Sequence, residues 1–530
     1  MSRPVHLAVL GVSALAMSTL TGAALPAQAQ HLTAAMAAPI TTIDPHFYNA
    51  APNNGLALHI FERLVERTST AQLTAGLAAS WTPIGEALWE FKLRPGATWH
   101  DGEPVTADDV AFTIARVPNV PNSPGGYAGM VRMISRVEAV DATTVRFHTS
   151  RPAPNLPIDL ANISIISRRH GAVAATEDYN SGKAAIGSGP YRLQRYLNGD
   201  RTELVRYDGW KGERPEWDRV TFRFIPNPGA RVAALLAGDV DLIDVPPAAD
   251  IPRLKADPKL SVSSIQGLRT IFIGMARGRA TPEPFVTDNA GKPFEKSPFE
   301  DIRVRRALSI AINRQAIAER VMSGTADATG QWLPPGIYSY APNVQVPTYA
   351  PDEAKKLLAE AGFPQGFKLT LHTPNDRYPN DSQTAQAVAQ MWTRIGVQTA
   401  IEALPWNTYS VRNSKQEFSV ALLGWGSNTA EAGYMLINVI GTYTPAAGRG
   451  AANARRYSNP ALDSLTDRAL STFDPAAREK LLIQAVEMAT SDVAIIPLHQ
   501  LTNFWASKKS IAFTPRMDER TVAMNARSVK

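Results

Sequence analysis

The side chains that most often carry reaction chemistry are thinly spread in this sequence. It has no cysteine, which removes thiol nucleophiles, disulfides and zinc–thiolate sites, and its nine histidines are dispersed. No Gly-x-Ser-x-Gly turn presents a serine, and no His-Glu-x-x-His segment sets two metal ligands on one helix face. Carboxylate pairs such as Asp108–Asp109 fall where a helix begins, and capping accounts for them. An exported hydrolase is therefore the weaker reading. No metal site or cofactor is expected, and the chemistry left to explain is recognition.

The elements that would position a recognition site can be read from periodicity. Residues Leu88 to Leu93 alternate apolar and polar side chains into Arg94-Pro95-Gly96, a strand stopped by a turn. Thr106 with Asp109 three residues on is close to a capping box, and Val110, Ile114 and Val117 then share a face. In the second half Pro351 opens a helix with Ala354, Leu357, Leu358 and Ala361 as its stripe and Gly362 as its stop. Val388, Met391, Trp392 and Ile395 repeat the pattern before Gly396, residues 397–403 alternate as a strand, and Asp474-Pro475 opens another helix. Alternating strands and helices predict an α/β layered lobe. The Pro-, Gly- and charge-rich stretch from Arg277 to Pro298 reads as a surface loop.

Length, charge and the leading residues narrow the class further. The 530 residues allow about three structural units. Arg3 is the only charged side chain before an apolar run from Leu7 to Leu25 and the small-x-small Ala27-Gln28-Ala29, so residues 1–29 are expected to be a cleaved signal peptide. No later run of about 18 apolar residues predicts a membrane span. Without a cysteine there is no lipid tether, and the mature protein is expected to be free in a periplasm. Removing Arg3 takes the formal charge from +6 to +5, and the basic residues are scattered, so a nucleic-acid partner lacks its electrostatic footprint.

Thr42 to His46, Ile60 to Val65, Gly76 to Trp81, and above all the continuous run from Phe91 to Val110 are separate blocks that together resemble the extracellular solute-binding proteins of dipeptide, oligopeptide and nickel importers (solute-binding protein family 5). Gly187 to Tyr191, Leu235 to Asp241, Asp301 to Leu308 and Ala311 to Arg314 follow in the family's order. Asp44, Asp101 and Asp109 within these blocks read as caps of turns and helices rather than ligand contacts. The resemblance implies an α/β, two-lobed periplasmic binding protein of the type II, large peptide-binding class, with an extra subdomain of about residues 71–184 in lobe I. Lobe I would span 30–267, lobe II 268–494, and residues 495–530 would return to lobe I. Hinge closure over the ligand would present it to an ABC permease and its ATPase, and the protein is expected to be a monomer.

The resemblance also nominates a pocket. Dipeptide-binding relatives hold the ligand carboxylate with an arginine, and Arg377, in the segment after the strand Lys368 to His372, stands at that place; the bland alternative is a surface arginine paired with Asp376 or Asp381. Relatives hold the ammonium with an aspartate in a Gly-Trp-x-x-Asp segment, where this sequence has Gly424-Trp425-Gly426-Ser427-Asn428. Asn428 gives up the charge-assisted bond, Glu431 is the candidate substitute, and the 428–432 run is similar to that of the glutathione-binding branch. Trp425, Trp406 and Tyr409 would wall the site from lobe II, and Phe47, Tyr48, Asn53 and Asn54 from lobe I. The alternative ligands are glutathione, an opine, heme, an oligosaccharide and a nickel chelate. His372 and His499 are the histidines nearest the Trp-Gly segment, and neither adjoins it.

Overall fold

The computed structural model describes Met1 and residues 30–278, 282–427, 429–444 and 448–529. The expected signal peptide, beyond Met1, and Asn428 lie outside these residues.

Two long strands organise the molecule. Leu260–Met275 and Ile496–Lys508 pair antiparallel, from Leu260 opposite Lys508 to Ile273 opposite Ile496. At the Leu260 end this ribbon joins Leu242–Asp244, His31–Met36, Arg219–Phe224 and the hairpin Tyr191–Leu197/Arg201–Arg206. At the Met275 end it joins Val420–Gly426, Lys368–Pro374 and Gln398–Leu404. The two ends serve two cores. Trp505 packs with Leu32, Tyr191 and Phe222, whereas Ile271, Ile273 and Leu498 pack with Val304, Leu371 and Trp392. This is the two-lobed α/β fold, with a ribbon passing between the lobes.

The ribbon's register breaks twice, between Ile271 and Phe272 and, more widely, in its middle. Gln266 faces Thr502 but Thr270 faces Gln500, so three residues of one strand oppose one of the other. The Gln500 side chain bridges the gap: its Nε2 donates to the Gly267 carbonyl (2.8 Å), and its Oε1 accepts from the Thr270 hydroxyl (2.5 Å).

A four-stranded antiparallel sheet of Ala78–Gly85, Leu88–Leu93, Thr144–Thr149 and Ile134–Ala139 has its own core, centred on Phe91, Trp99, Val110 and Phe147. Its helix Ala107–Arg116 starts as the sequence predicts, with the Thr106 amide donating to Asp109 Oδ2 at 2.9 Å. Asp101 likewise accepts the Glu103 amide in a turn. Asp44 does more than cap. It is buried and takes two hydrogen bonds from Arg116 (3.0 and 2.6 Å), tying lobe I to that helix. Burial and the Arg116 charge push the neighbouring His46 down to about 4, so it is neutral.

In lobe II, helices Pro351–Glu360, Asp381–Arg394 and Pro475–Ser491 form where the apolar stripes predict. Trp392 is fully buried and donates to the Leu308 carbonyl at 2.8 Å. The stretch from Arg277 to Pro298 is not wholly irregular, since Val286–Thr287 pairs with Leu369 and Lys368 at the sheet edge.

Candidate functional site

Lys368–Pro374 runs parallel to both Gln398–Leu404 and Val420–Gly426, so the three strands deliver their carboxyl ends to one edge of lobe II. Side chains just beyond such ends are where open α/β sheets bind ligands. Arg377 follows the first strand, Trp406 the second, and the 427–431 segment the third.

Arg377 is built in by its backbone. Asp381 Oδ2 accepts the amides of Arg377 and Tyr378 (both 3.1 Å), and Asp376 Oδ1 accepts the Trp406 amide (2.7 Å). The two acids that might have paired with the guanidinium therefore shape its loop instead. The guanidinium carbon sits 5.2 Å from the Tyr378 ring centre and 5.4 Å from that of Trp406, within cation–π range. Among the described residues its guanidinium has no hydrogen bond or ion pair. Tyr378 is fixed in turn by its hydroxyl on the Gly424 carbonyl (3.2 Å), and its ring occupies the space a Gly424 side chain would need.

The other expected residues divide. Trp406 is half-buried beside Arg377, and the structure brings these two together. Trp425, on the next residue of the strand from Gly424, packs with the opposite core, 5.4 Å from the Tyr434 ring, and its buried Nε1 has no partner among the described residues. Tyr409 belongs to the interior, fully buried with its hydroxyl on the Leu422 carbonyl (2.7 Å). Tyr48 is half-buried with its ring against Gly125. Asn53 spends its amide on Thr41, accepting the Thr41 amide (3.0 Å) and donating to its hydroxyl (3.0 Å), and Asn54 is held by Asn49 and Tyr127. Phe47 is half-buried, and its carbonyl accepts the Ser123 hydroxyl.

Glu431 is not a free carboxylate. It is 1% exposed, ion-paired with Arg478, and accepts Asn155 Nδ2 at 2.8 Å, so both oxygens are committed within the protein. Leu156, next to Asn155, packs in the core of the four-stranded sheet and Ala432, next to Glu431, in another core, so Glu431 ties the two together. His372 stacks on Phe418 (4.2 Å), and burial drives His499 down to about 4. Among the described residues no group of three or more potential metal ligands gathers.

Sequence reasoning missed the facing side. Arg516, Asp518 and Arg520, in the segment after the return strand, are buried beside Arg63 and Arg67. Arg516 and Asp518 pair through two hydrogen bonds (2.8 and 2.7 Å), and Glu519 pairs with Arg269 of the outgoing strand. Burial pushes Glu519 up, but Arg269 and then the charge of Arg377 outweigh it and hold the carboxyl below its usual range, which places the two lobes' charged groups within reach of each other. The available signal was the alternating charge of residues 516–520 just past a strand.

Two α/β bodies joined by a strand ribbon, with arginine and aromatic rings at the strand ends between them, define a hinged solute-binding protein. No helix among the described residues is long and apolar enough to cross a membrane. The model for bacterial extracellular solute-binding proteins, family 5, matches residues 72–445, and the chain belongs to that family. It is 28% identical over 495 residues to Heme-binding protein A of Haemophilus influenzae, covering 88% of this chain and 85% of the relative. Identity is also 28% over 479 residues to the Dipeptide-binding protein of Escherichia coli K12, covering 86% of each. Against the Glutathione-binding protein GsiB of Escherichia coli K12 it is 26% over 529 residues, covering 95% of this chain and 97% of the relative. Among solved structures, the periplasmic binding protein DppA from Helicobacter pylori, in complex with peptide STSA, superposes with a TM-score of 0.79 at 23% identity, over 94% of this chain and 98% of that one. The family binds solutes rather than transforming them.

Proposed function

We propose that this protein is the freely diffusing, monomeric periplasmic receptor of an ABC importer, and that it closes its lobes over a peptide or peptide-sized solute bearing a carboxylate. The permease and ATPase would take the solute from the closed form. The observation that carries the ligand class is Arg377: a guanidinium shelved between Tyr378 and Trp406, held by a loop whose own acids are used on backbone amides. Such a fork matches a carboxylate with two parallel hydrogen bonds. Relatives named for dipeptides, heme and glutathione support a peptide-sized solute without choosing among them. With Glu431 committed to Arg478 and Asn155, the proposed site lacks that acid as an ammonium anchor, which favours solutes whose amine is modified or distant from the carboxylate.

The test is a thermal-shift panel of peptides, glutathione, opines, nickel chelates and oligosaccharides. A ligand at 100 times its Kd stabilises by about 2.7 kcal/mol. A carboxylate-bearing ligand is expected to score, and Arg377→Ala is expected to abolish its shift. A best ligand without a carboxylate, or normal binding by the variant, defeats the proposal.

A further inference from the structure

Lobe I gathers four guanidinium groups, Arg63, Arg67, Arg516 and Arg520, against the carboxylates of Glu66 and Asp518 and, toward Arg67, Asp159. Arg516 is satisfied by Asp518. Arg67 spends itself on carbonyls, those of Ile158 (3.0 Å), Thr429 (3.2 Å) and Ala71 (3.4 Å). Arg63 and Arg520 remain. They are 1% and 3% exposed, yet their nearest carboxylate oxygens, on Glu66 and Asp518, lie at 3.8 and 3.6 Å, beyond hydrogen-bond length. Arg63 Nε and Arg520 Nη1 are buried with no hydrogen-bond partner among the described residues.

A buried guanidinium without its hydrogen bonds is costly, and two that repel each other are costlier. Burial, and next the Arg520 charge, bring Arg63 down to about 10. The pair also faces the other lobe. Tyr127 feels the charges of both arginines and lies near Tyr434, which packs on Trp425, while Arg67 bonds the Thr429 carbonyl. On that facing segment Trp425 Nε1, Ser427 Oγ and Thr429 Oγ1 are likewise buried without partners among the described residues. Guanidinium and indole groups donate only, and hydroxyls can donate, so the unmet groups together call for an acceptor with negative charge.

We propose that Arg520, with Arg63 beside it, receives a second anionic group of the captured solute, distinct from the carboxylate at Arg377. The solute is then a compound with two acidic groups at separate ends. This rests on the capture reading above, but a free anion can test it alone.

The probe is inorganic phosphate, titrated into the full-length mature protein at constant ionic strength and followed by thermal unfolding. Wild type is expected to show a saturable rise in Tm that Arg377→Ala retains and Arg520→Gln loses. Arg520→Lys keeps the charge but not the fork, guards against a variant that fails to fold, and is expected to weaken phosphate about tenfold. The inference falls if wild type shows no saturable rise, if Arg520→Gln responds like wild type, or if Arg520→Lys binds phosphate with unchanged affinity. A rise that depends on Arg377 instead of Arg520 also overturns it, while leaving the capture reading in place.

Discussion

Replacing Glu431 by alanine is expected to destabilise the protein because of what it leaves behind. Arg478 is 6% exposed and its guanidinium pairs with Glu431. Removing one partner of a buried pair costs about 3–5 kcal/mol, since the remaining charge is desolvated and uncompensated. Unfolding entropy of about 2.1 cal/mol/K per residue gives about 1 kcal/mol/K for roughly 500 residues melting together, so Tm should fall by about 3–5 °C. If lobe II melts as a unit of about half that size, the drop should be about twice as large. The double variant Glu431→Leu with Arg478→Met is expected to recover most of the loss, because an apolar pair of similar volume avoids desolvation altogether. Scanning calorimetry of the single and double variants decides the matter. A fall of less than about 1 °C in Glu431→Ala, or a double variant no more stable than the single, would falsify the reading of this pair as buried and committed.

Two further outcomes can be measured on the same instrument. Burial first, and the Glu431 charge second, push Asp159 up to about 7 from an ordinary 3.8. The folded protein then keeps a proton that the unfolded chain releases, so ionisation erodes stability as pH rises from about 4 to about 7, and does so fully above that. Asp159→Asn should accordingly raise Tm at about pH 8 and change it little at about pH 4; equal effects at both would show that Asp159 ionises normally. At Gly424 a Cβ would stand 2.7 Å from the Tyr378 ring and 2.8 Å from Ile271, so Gly424→Ala should cost about 1–3 kcal/mol and displace the ring that shelves Arg377. Unchanged stability together with an unchanged ligand-induced shift would show that Tyr378 does not position the arginine.

The parts of the fold that the sequence reveals are those governed by local rules. The helix at Ala107, the strand at Leu88 and the helices at Pro351 and Pro475 each carry a cap, a stripe or an alternation that acts within a dozen residues. Arg377 and Trp406 were nominated by the resemblance, and the readable strands before them only fixed their place in the fold. The remaining site was not legible, because its determinants are partners far away in the chain. Glu431 looked like a spare acid until Arg478 and Asn155 closed on it, and Asn53 looked available until Thr41 took both ends of its amide. Tyr409 and Trp406 are three residues apart on one helix, yet one is interior and the other borders Arg377, a distinction set by how that helix lies on Phe418 and Leu422. The arginines of lobe I come from residues 63–67 and 516–520, whose proximity no local pattern announces.

The order of the chain gives the ribbon a consequence in time. The return strand Ile496–Lys508 pairs with Leu242–Asp244 and packs Trp505 into the core of lobe I, and Arg516 to Arg520 come after it. Ile496 and Leu498 of the same strand also fill the core of lobe II, so neither lobe is complete, and Arg63 and Arg67 still lack Arg516 and Arg520 beside them, until this last stretch docks. A chain cut short after lobe II's last helix would therefore leave two unfinished bodies, each missing its share of one shared strand.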